Sequence, residues 1–313
     1  MTLHRSLDDV AAMLSDGALA ALRAGPDFRA VVEELIAESL DNYQTFDAAG
    51  CWMTADVGRM ALYVAALLLD AQPGGLTVAA LNTSAQSYDA SSRGRVAQFI
   101  RFAQDAGEIT VPAGPEPWTQ RRLGLRAVFV ERLQRRAINE ARVISRLAPE
   151  IAPLAASLED DATYRRFLLW SAVLATRERM VGPTTPVTMF LQRQSGMRIL
   201  YHLTLDQPPG RERLLEDAAL SRNQLSKLYR VSRAHINRLL ADAEADGLLS
   251  CPRPNRVVFS AALSDDFERT MAFIIQMNRA AFVATALEAT PSDQASIAPS
   301  PALNLSSSAG LPA

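Results

Sequence analysis

One stretch of the chain, residues 220–256, has the residue spacing of a helix-turn-helix followed by a β-hairpin. Ser221 is a candidate N-cap, and Gln224 completes a capping box for a short first helix. Ser232 can cap a second helix, which Gly247 is expected to end. One face of this second helix is apolar at three- and four-residue spacing, at Ile236, Leu239, Leu240 and Ala243. The stretch therefore predicts two short helices packed at an angle.

The opposite face of the second predicted helix is polar, and it begins near the helix N-terminus. A helix fits the major groove of duplex DNA, and residues near its N-terminus reach the base edges. Arginine can form two hydrogen bonds with guanine, and asparagine can form two with adenine. The alternative is an ordinary helical hairpin whose polar face is only solvated. We expect DNA contact from Ser232, Arg233, His235, Asn237 and Arg238.

A basic hairpin is predicted directly after this helix. Residues 248–250 and 257–260 can pair as short strands around a tip that contains two prolines and two arginines, Arg253 and Arg256. A rigid, basic tip suits contact with phosphates or with the minor groove. Both arginines therefore belong to the predicted DNA-binding set.

The same pattern recurs 140 residues earlier in the chain. Ser232 falls on Ser92, Gly247 falls on Gly107, and the apolar positions of the second helix again fall on apolar residues. A repeat of this kind indicates two copies of one supersecondary unit. The first copy has a longer wing, at 112–122, which contains three prolines. Its predicted DNA-binding residues are Ser92, Arg93, Arg95, Gln98, Arg121 and Arg122.

Most of the remaining chain is predicted to be helical, because its apolar residues recur at helical spacing. The predicted helices cover 7–22, 28–43, 54–70, 127–147, 161–180, 189–205 and 265–287, with short segments at 77–81 and 82–89. The C-terminal stretch is rich in Pro, Ser and Ala, which is typical of disorder. The chain is therefore divided into an N-terminal helix (1–27), a first unit (28–148), a second unit (149–289) and a disordered tail (290–313).

Composition limits the class of protein. Lys and Arg number 32 against 34 Asp and Glu, so the net charge of -2 argues against a protein coated in positive charge. A local basic patch is still allowed. Cys51 and Cys251 lack the spacing of a zinc site, so no metal or other cofactor is expected. We predict a reduced, cytoplasmic setting, with no signal peptide and no membrane span.

The order helix, winged helix-turn-helix, long helix resembles the MarR family of bacterial transcription regulators over roughly residues 28–288. In that family the terminal helices of two protomers interlock, and the wings and recognition helices grip a palindromic site. Here both halves lie in one chain, so the resemblance implies a fused pseudo-dimer. The implied fold is mainly α, with tandem winged helix-turn-helix repeats, small β-hairpin wings and long helices that form a pseudo-two-fold helical core.

The function that this resemblance implies is sequence-specific regulation of transcription through double-stranded DNA. Because fused units can diverge, we expect two non-identical half-sites about one helical turn apart. MarR-like folds often hold a small-molecule effector where the core meets the winged units, and the candidates to line such a pocket are Phe167, Trp170 and Tyr201. Further self-association through apolar stripes of the 7–22 and 265–287 helices is a second expectation.

Other functional classes are weighed against this one. The Ser, Cys and His residues show no nucleophile arrangement and there is no glycine-rich phosphate loop, so an enzyme is not expected. Two alternatives stay open: a plasmid-type replication initiator with tandem winged helices, and a tandem winged-helix module that binds a protein partner. Salt-dependent DNA binding separates the two DNA-binding hypotheses from the third. Binding to iterated repeats separates the initiator from the regulator.

Overall fold

The chain is mainly helical, with two small antiparallel sheets, in a computed structural model that describes residues 10, 12–87, 92–177, 185–208 and 211–288. In the N-terminal half the helices are α1 (Asp16–Arg23), α2 (Phe28–Thr45), α3 (Ala48–Met53), α4 (Val57–Asp70), α5 (Val78–Ser87), α6 (Arg93–Asp105) and α7 (Ala127–Ile144). In the C-terminal half they are α8 (Ala152–Ser157), α9 (Asp161–Arg177), α10 (Pro186–Gln192), α11 (Gly196–Leu205), α12 (Arg222–Tyr229), α13 (Arg233–Ala245) and α14 (Ala261–Glu288). Two 3₁₀ turns are also present, at Trp118–Gln120 and Pro149–Ile151.

The strands form one two-stranded and one three-stranded antiparallel sheet. The first sheet pairs β1 (Ile109–Thr110) with β2 (Gly124–Leu125). The second contains β3 (Asp217–Ala219), β4 (Leu249–Arg253) and β5 (Arg256–Phe259), in the order β3-β5-β4. Beside the first sheet, an isolated antiparallel bridge joins Thr77 to Arg122. This bridge has the place that the β3–β5 pairing has in the second sheet. Each hairpin therefore pairs with the segment that precedes a short helix.

Backbone geometry recurs at the spacing of 140 residues. The Ser92 hydroxyl accepts the N–H of Arg95 at 3.3 Å and so caps α6, and the Ser232 hydroxyl caps α13 in the same way at 3.1 Å. Gly107 ends the first helix with a φ of 70°, and Gly247 ends the second with a φ of 69°. Glycine tolerates this left-handed conformation, which other residues adopt at a cost. The same start and stop signals thus act at both places.

The hairpins that follow these helices are closed by equivalent backbone bonds. Arg126 donates its N–H to the Glu108 carbonyl at 2.9 Å, and Ser260 donates to the Leu248 carbonyl at 2.9 Å. A long helix begins directly after each bond, α7 in the first case and α14 in the second. We call residues 78–126 the first helix–hairpin segment and residues 222–260 the second. The first has the longer hairpin.

The longest helix, α14, lies at the centre of the molecule. It packs against α1, α7, α8, α9 and α10, and all of its residues from 280 to 285 are buried. Among the described residues it is the one helix long and apolar enough to cross a membrane, but 67% of its most apolar window is buried inside the fold, as in the core helix of a soluble protein. One hydrophobic core runs through both of the predicted units.

Several predicted helices differ from the observed ones. The single helix predicted over 7–22 is interrupted, because the Ser15 side chain accepts the Ala18 N–H at 3.3 Å and caps a new helix, α1. The helix predicted over 189–205 is two helices, α10 and α11, separated by Ser195, which has a φ of 56°. The two segments predicted at 77–81 and 82–89 form one helix, α5, within the described residues. The predicted tail, 290–313, lies outside the described residues.

The apolar stripes that suggested self-association are covered within the chain. Helix α1 packs against α14 through Leu19, which is buried, and ion pairs join Arg23 to Glu268 at 3.0 Å and Arg269 to Asp16 at 2.7 Å across this contact. The prediction placed both helices at a surface because their spacing shows one apolar face each. The structure places these two helices against one another, and self-association of the chain stays a prediction.

Candidate nucleic-acid interface

Helix α13 presents the predicted recognition residues on its solvent-facing side. Its apolar face is buried, while Arg233, Asn237 and Arg238 are exposed. None of these three side chains has a hydrogen bond or ion pair with another described residue. Three long polar side chains near a helix N-terminus are therefore available to a partner, and the helix dipole adds positive potential there.

His235 does not share that exposed position. Its ring is half-buried, and Nε2 lies 2.9 Å from the backbone carbonyl of Gln194. The contact uses one ring nitrogen inside the molecule, which leaves Nδ1 as the nitrogen that can meet a ligand. The sequence prediction treated His235 as a DNA-facing residue, and the structure instead gives it a role in fixing α13 to the loop before α11.

Helix α6 presents a weaker version of the same surface. Arg93, Gln98 and Arg101 are exposed and have no carboxylate partner among the described residues. Arg95, which corresponds to His235, is also exposed, but its Nη1 lies 3.8 Å from Oδ1 of Asp56. The Asp56 side chain is only 4% exposed and also pairs with Arg59 at 3.2 Å. A buried carboxylate therefore neutralises part of the charge at the start of α6.

The starts of α6 and α13 flank one junction between the two halves of the chain. Arg95 contacts Asp56, His235 contacts Gln194, and the loops that carry Asp56 and Gln194 are joined by a hydrogen bond from the Ser195 N–H to the Ala55 carbonyl at 2.6 Å. Both helices are therefore anchored, near their N-termini, to loops that this bond joins.

A buried arginine reinforces this junction. Arg198, on α11, donates to the carbonyl and hydroxyl of Thr54, and its guanidinium lies 4.0 Å from the centre of the Tyr43 ring. Burial lowers the pKa of Arg198 to about 10. The Tyr43 hydroxyl in turn donates to the Tyr229 carbonyl at 3.4 Å, next to the turn between α12 and α13. The orientation of α13 is thus tied to residues of the first half.

In the hairpin of the second helix–hairpin segment, one of the two arginines predicted to bind DNA is available to a partner. Arg253 is exposed and has no partner among the described side chains. Arg256 is held by Asp217, whose two carboxylate oxygens lie 2.8 and 2.9 Å from its Nε. Hydrogen bonding to this carboxylate raises the pKa of Arg256. Arg256 therefore fixes the hairpin to β3 and is a poorer phosphate ligand than Arg253.

The wing of the first segment turns one of its arginines inward. Arg121 donates from Nε to the Glu116 carbonyl and from Nη2 to the Gly114 carbonyl, both at 2.9 Å. Arg122 is exposed and packs closely over Gly75, which leaves no space for a side chain at that position. The predicted DNA contact of Arg121 is thus replaced by a contact that shapes the loop.

Unpaired cations are concentrated in the two helix–hairpin segments, and the net charge of the whole chain does not show this. Residues 78–126 contain six basic and four acidic side chains, and residues 222–260 contain seven basic and three acidic ones, in a chain of net charge -2. Among the described side chains, Arg135 on α7 is exposed without a partner outside these segments. Exposed cations without a hydrogen bond or ion pair inside the segments are Arg93, Arg101, Arg122, Arg126, Lys227, Arg230, Arg233, Arg238 and Arg253.

Sequence reasoning missed four of those cations: Arg101, Arg126, Lys227 and Arg230. A count of basic and acidic residues within each segment would have identified them, since all four lie inside the two helix–hairpin segments. Arg101 follows Arg93 by two helical turns and so shares its face. Arg230 caps the C-terminus of α12 in the left-handed conformation, with a φ of 53°, at the turn between α12 and α13.

The three candidates for an effector pocket are not brought together. Phe167 is 3% exposed and stacks on Phe282, with ring centroids 4.4 Å apart. Tyr201 lies edge-on to Phe267 and donates to the Met271 sulfur at 3.7 Å. Phe167 therefore contacts α14 at Phe282, whereas Tyr201 contacts it at Phe267 and Met271. The two contact points are at least 11 residues apart, which is about 16 Å along a helix axis.

Helical spacing predicted that Phe167 and Trp170 face inward, and the space beside Phe167 is filled by Phe282. Trp170 is half-buried against the hydrophobic core. A shallow pocket elsewhere, between the end of α11 and the second hairpin, is lined by Asp206, Pro208, Asp217, Ala218, Ala219, Arg253, Asn255 and Arg256. The described part of the chain contains no group of three His, Cys, Asp or Glu side chains that could hold a metal ion.

Comparisons with known proteins found no matching family model, no matching curated protein and no matching solved structure.

Proposed function

We propose that this protein is a sequence-specific regulator of transcription that binds double-stranded DNA through two winged helix-turn-helix units, in the manner of a fused MarR-like pseudo-dimer. Helices α6 and α13 are the recognition helices of this proposal, and the two hairpins are its wings. The second unit is the principal reader, because Arg233, Asn237 and Arg238 are exposed and unpaired on α13.

The observation that carries the proposal is the concentration of unpaired cations on the two helix–hairpin segments. Outside the two segments, most exposed arginines among the described residues pair with a carboxylate, as Arg142 does with Glu38 and Arg146 with Glu34. Arginines left without such partners form a local positive potential, which attracts phosphates and speeds association with DNA. Both recognition helices start beside the same junction, so their cations can meet one duplex together.

The two half-sites of the operator are expected to differ. Arg95, which is held by Asp56, stands where the second unit has His235. Gln98 stands where the second unit has Arg238. Because arginine reads guanine and glutamine reads adenine, the two units favour different bases. A cytoplasmic location and a small-molecule effector remain predictions of the same proposal.

The first experiment is selection from a random-sequence duplex library, followed by affinity measurements at two salt concentrations. Wild-type protein is expected to bind with a strong salt dependence. Arg233→Ala and Arg238→Ala are each expected to cost about 1–3 kcal/mol and to relax sequence preference at one position. Arg135→Ala is the matched control, since it removes an exposed, unpaired arginine outside both segments, and it should leave binding unchanged.

Two outcomes redirect the proposal. Absence of binding even at low salt would favour the alternative in which the tandem units bind a protein partner. Selection of iterated repeats in place of a paired operator would favour a replication initiator. A perfect palindrome bound by a single chain would contradict the expectation of non-identical readers while leaving DNA binding intact.

A further inference from the structure

The tip of the first wing exposes a tryptophan. Trp118 is 41% exposed and lies on the 3₁₀ turn Trp118–Gln120, within the loop that joins β1 to β2. Exposed large apolar side chains are few among the described residues, and the others are Val128 and Leu205. A single exposed apolar side chain is ordinary on a protein surface, so what singles out Trp118 is its place in a rigid loop next to unpaired arginines.

The loop that carries this tryptophan is held in one shape. Arg121 bonds the Glu116 and Gly114 carbonyls, and the Glu116 carboxylate lies over Gly114. The turn packs against α5, and prolines at 112, 115 and 117 restrict the backbone. Pre-ordering of this kind lowers the entropy that a contact would otherwise lose on binding. The loop therefore holds the indole of Trp118 in an exposed position before any partner binds.

The two wings present different chemistry at their tips. In the second wing an unpaired guanidinium, Arg253, faces solvent. In the first wing the nearby guanidinium of Arg121 is turned into the loop, and the indole of Trp118 takes the exposed place. Charge contact with phosphates is thus available to the second tip, whereas the first tip offers a flat apolar group.

We propose that Trp118 enters the minor groove of bound DNA as an apolar wedge and unstacks one base step. This inference rests on the proposed function. The wing is rooted at the Thr77–Arg122 bridge beside the start of α5, in the segment whose unpaired arginines, Arg93, Arg101 and Arg126, would hold the duplex. Apolar wedges between base steps bend DNA by about 20–90°. The bend therefore falls under the first half-site and not under the second.

The test measures the bend and the affinity of the selected duplex with full-length protein. Energy transfer between dyes at the duplex ends reports the bend, and tryptophan emission reports stacking. Trp118→Ala is expected to abolish the bend and to weaken binding about tenfold, which is the scale of one lost aromatic–base contact. Trp118→Phe is expected to keep part of both. The emission change on binding should vanish with Trp118, since Trp52 is stacked on Phe102 and Trp170 packs against the hydrophobic core.

Two controls separate the wedge from general effects. Val128→Ala and Leu205→Ala each remove another exposed apolar side chain, and neither should change the bend. If wild-type protein binds a selected duplex but Trp118→Ala bends it equally, the wedge is overturned and the regulator stands. If wild-type protein binds no duplex at all, both proposals are overturned.

Discussion

The two helix–hairpin segments share a backbone and differ in what their side chains do. Each has a serine cap, a helix that ends at a left-handed glycine, and a hairpin closed by one backbone bond. In the second, arginines on the helix and at the wing tip are left unpaired, whereas in the first Arg95 and Arg121 contact the protein itself. One backbone arrangement is therefore combined with two different sets of side-chain contacts, and the second set leaves more arginines unpaired.

The difference extends beneath the hairpins. Glu108 and Leu248 occupy equivalent positions, since each donates its N–H to the helix before it, at 2.8 and 2.9 Å. Glu108 is 1% exposed and pairs with Arg132 at 2.6 Å, and Arg132 also reaches Asp47, the cap of α3. In the second segment the equivalent residue is Leu248, which is apolar and requires no counter-charge. The first unit therefore contains a buried ion pair that its counterpart lacks.

The largest effect is expected from breaking that pair. Arg132→Ala leaves the Glu108 carboxylate buried without a counter-charge and should lower the free energy of unfolding by about 3–5 kcal/mol. Burial already raises the pKa of Glu108, so the lone carboxyl is expected to take up a proton. Chemical denaturation of the variant and the wild type measures the loss.

The matched double variant makes the first segment resemble the second. Glu108→Leu/Arg132→Met replaces both charges with apolar side chains, which for buried ion pairs is often neutral or stabilising. A double variant as unstable as Arg132→Ala would show that the pair does more than compensate its own burial, and the comparison with Leu248 would then fail.

A smaller effect is expected on DNA binding from copying one reading residue between the helices. Gln98→Arg places on α6 the residue that α13 carries as Arg238. We expect an affinity gain of about 1–3 kcal/mol for duplexes with guanine at the matching position of the first half-site. Gln72→Arg adds the same charge in an exposed loop outside both segments and serves as the control. A gain that is equal for both variants and all sequences would contradict base reading by α6.

The smallest effect is expected from the caps. Ser92→Ala and Ser232→Ala should each lower stability by about 1 kcal/mol, because each removes the acceptor for one N–H at a helix start. Equal costs would support a common scaffold. A clearly larger cost at Ser92, measured by thermal unfolding, would indicate that α6 depends on its cap more than α13 does.

The sequence predicted the elements of the second helix–hairpin segment well, because caps, apolar spacing and the Gly247 stop act locally. It missed β3 and α3, which are short and depend on partners far along the chain. It also assigned Arg121 and Arg256 to DNA, since sequence shows that a side chain is charged but not which carbonyl or carboxylate it meets after folding. The same limit applies to Phe167, because its spacing predicted that it faces inward but did not predict which side chains it contacts.

The position of α14 has a consequence for synthesis of the protein. The helix that completes the core is also the last described element of the chain, so the helices that surround it leave the ribosome before their common partner exists. We expect the apolar faces of those helices to stay exposed until α14 has also left the ribosome. A product terminated before α14 would lack the helix against which helices of both halves pack, so we expect neither half to fold properly without it.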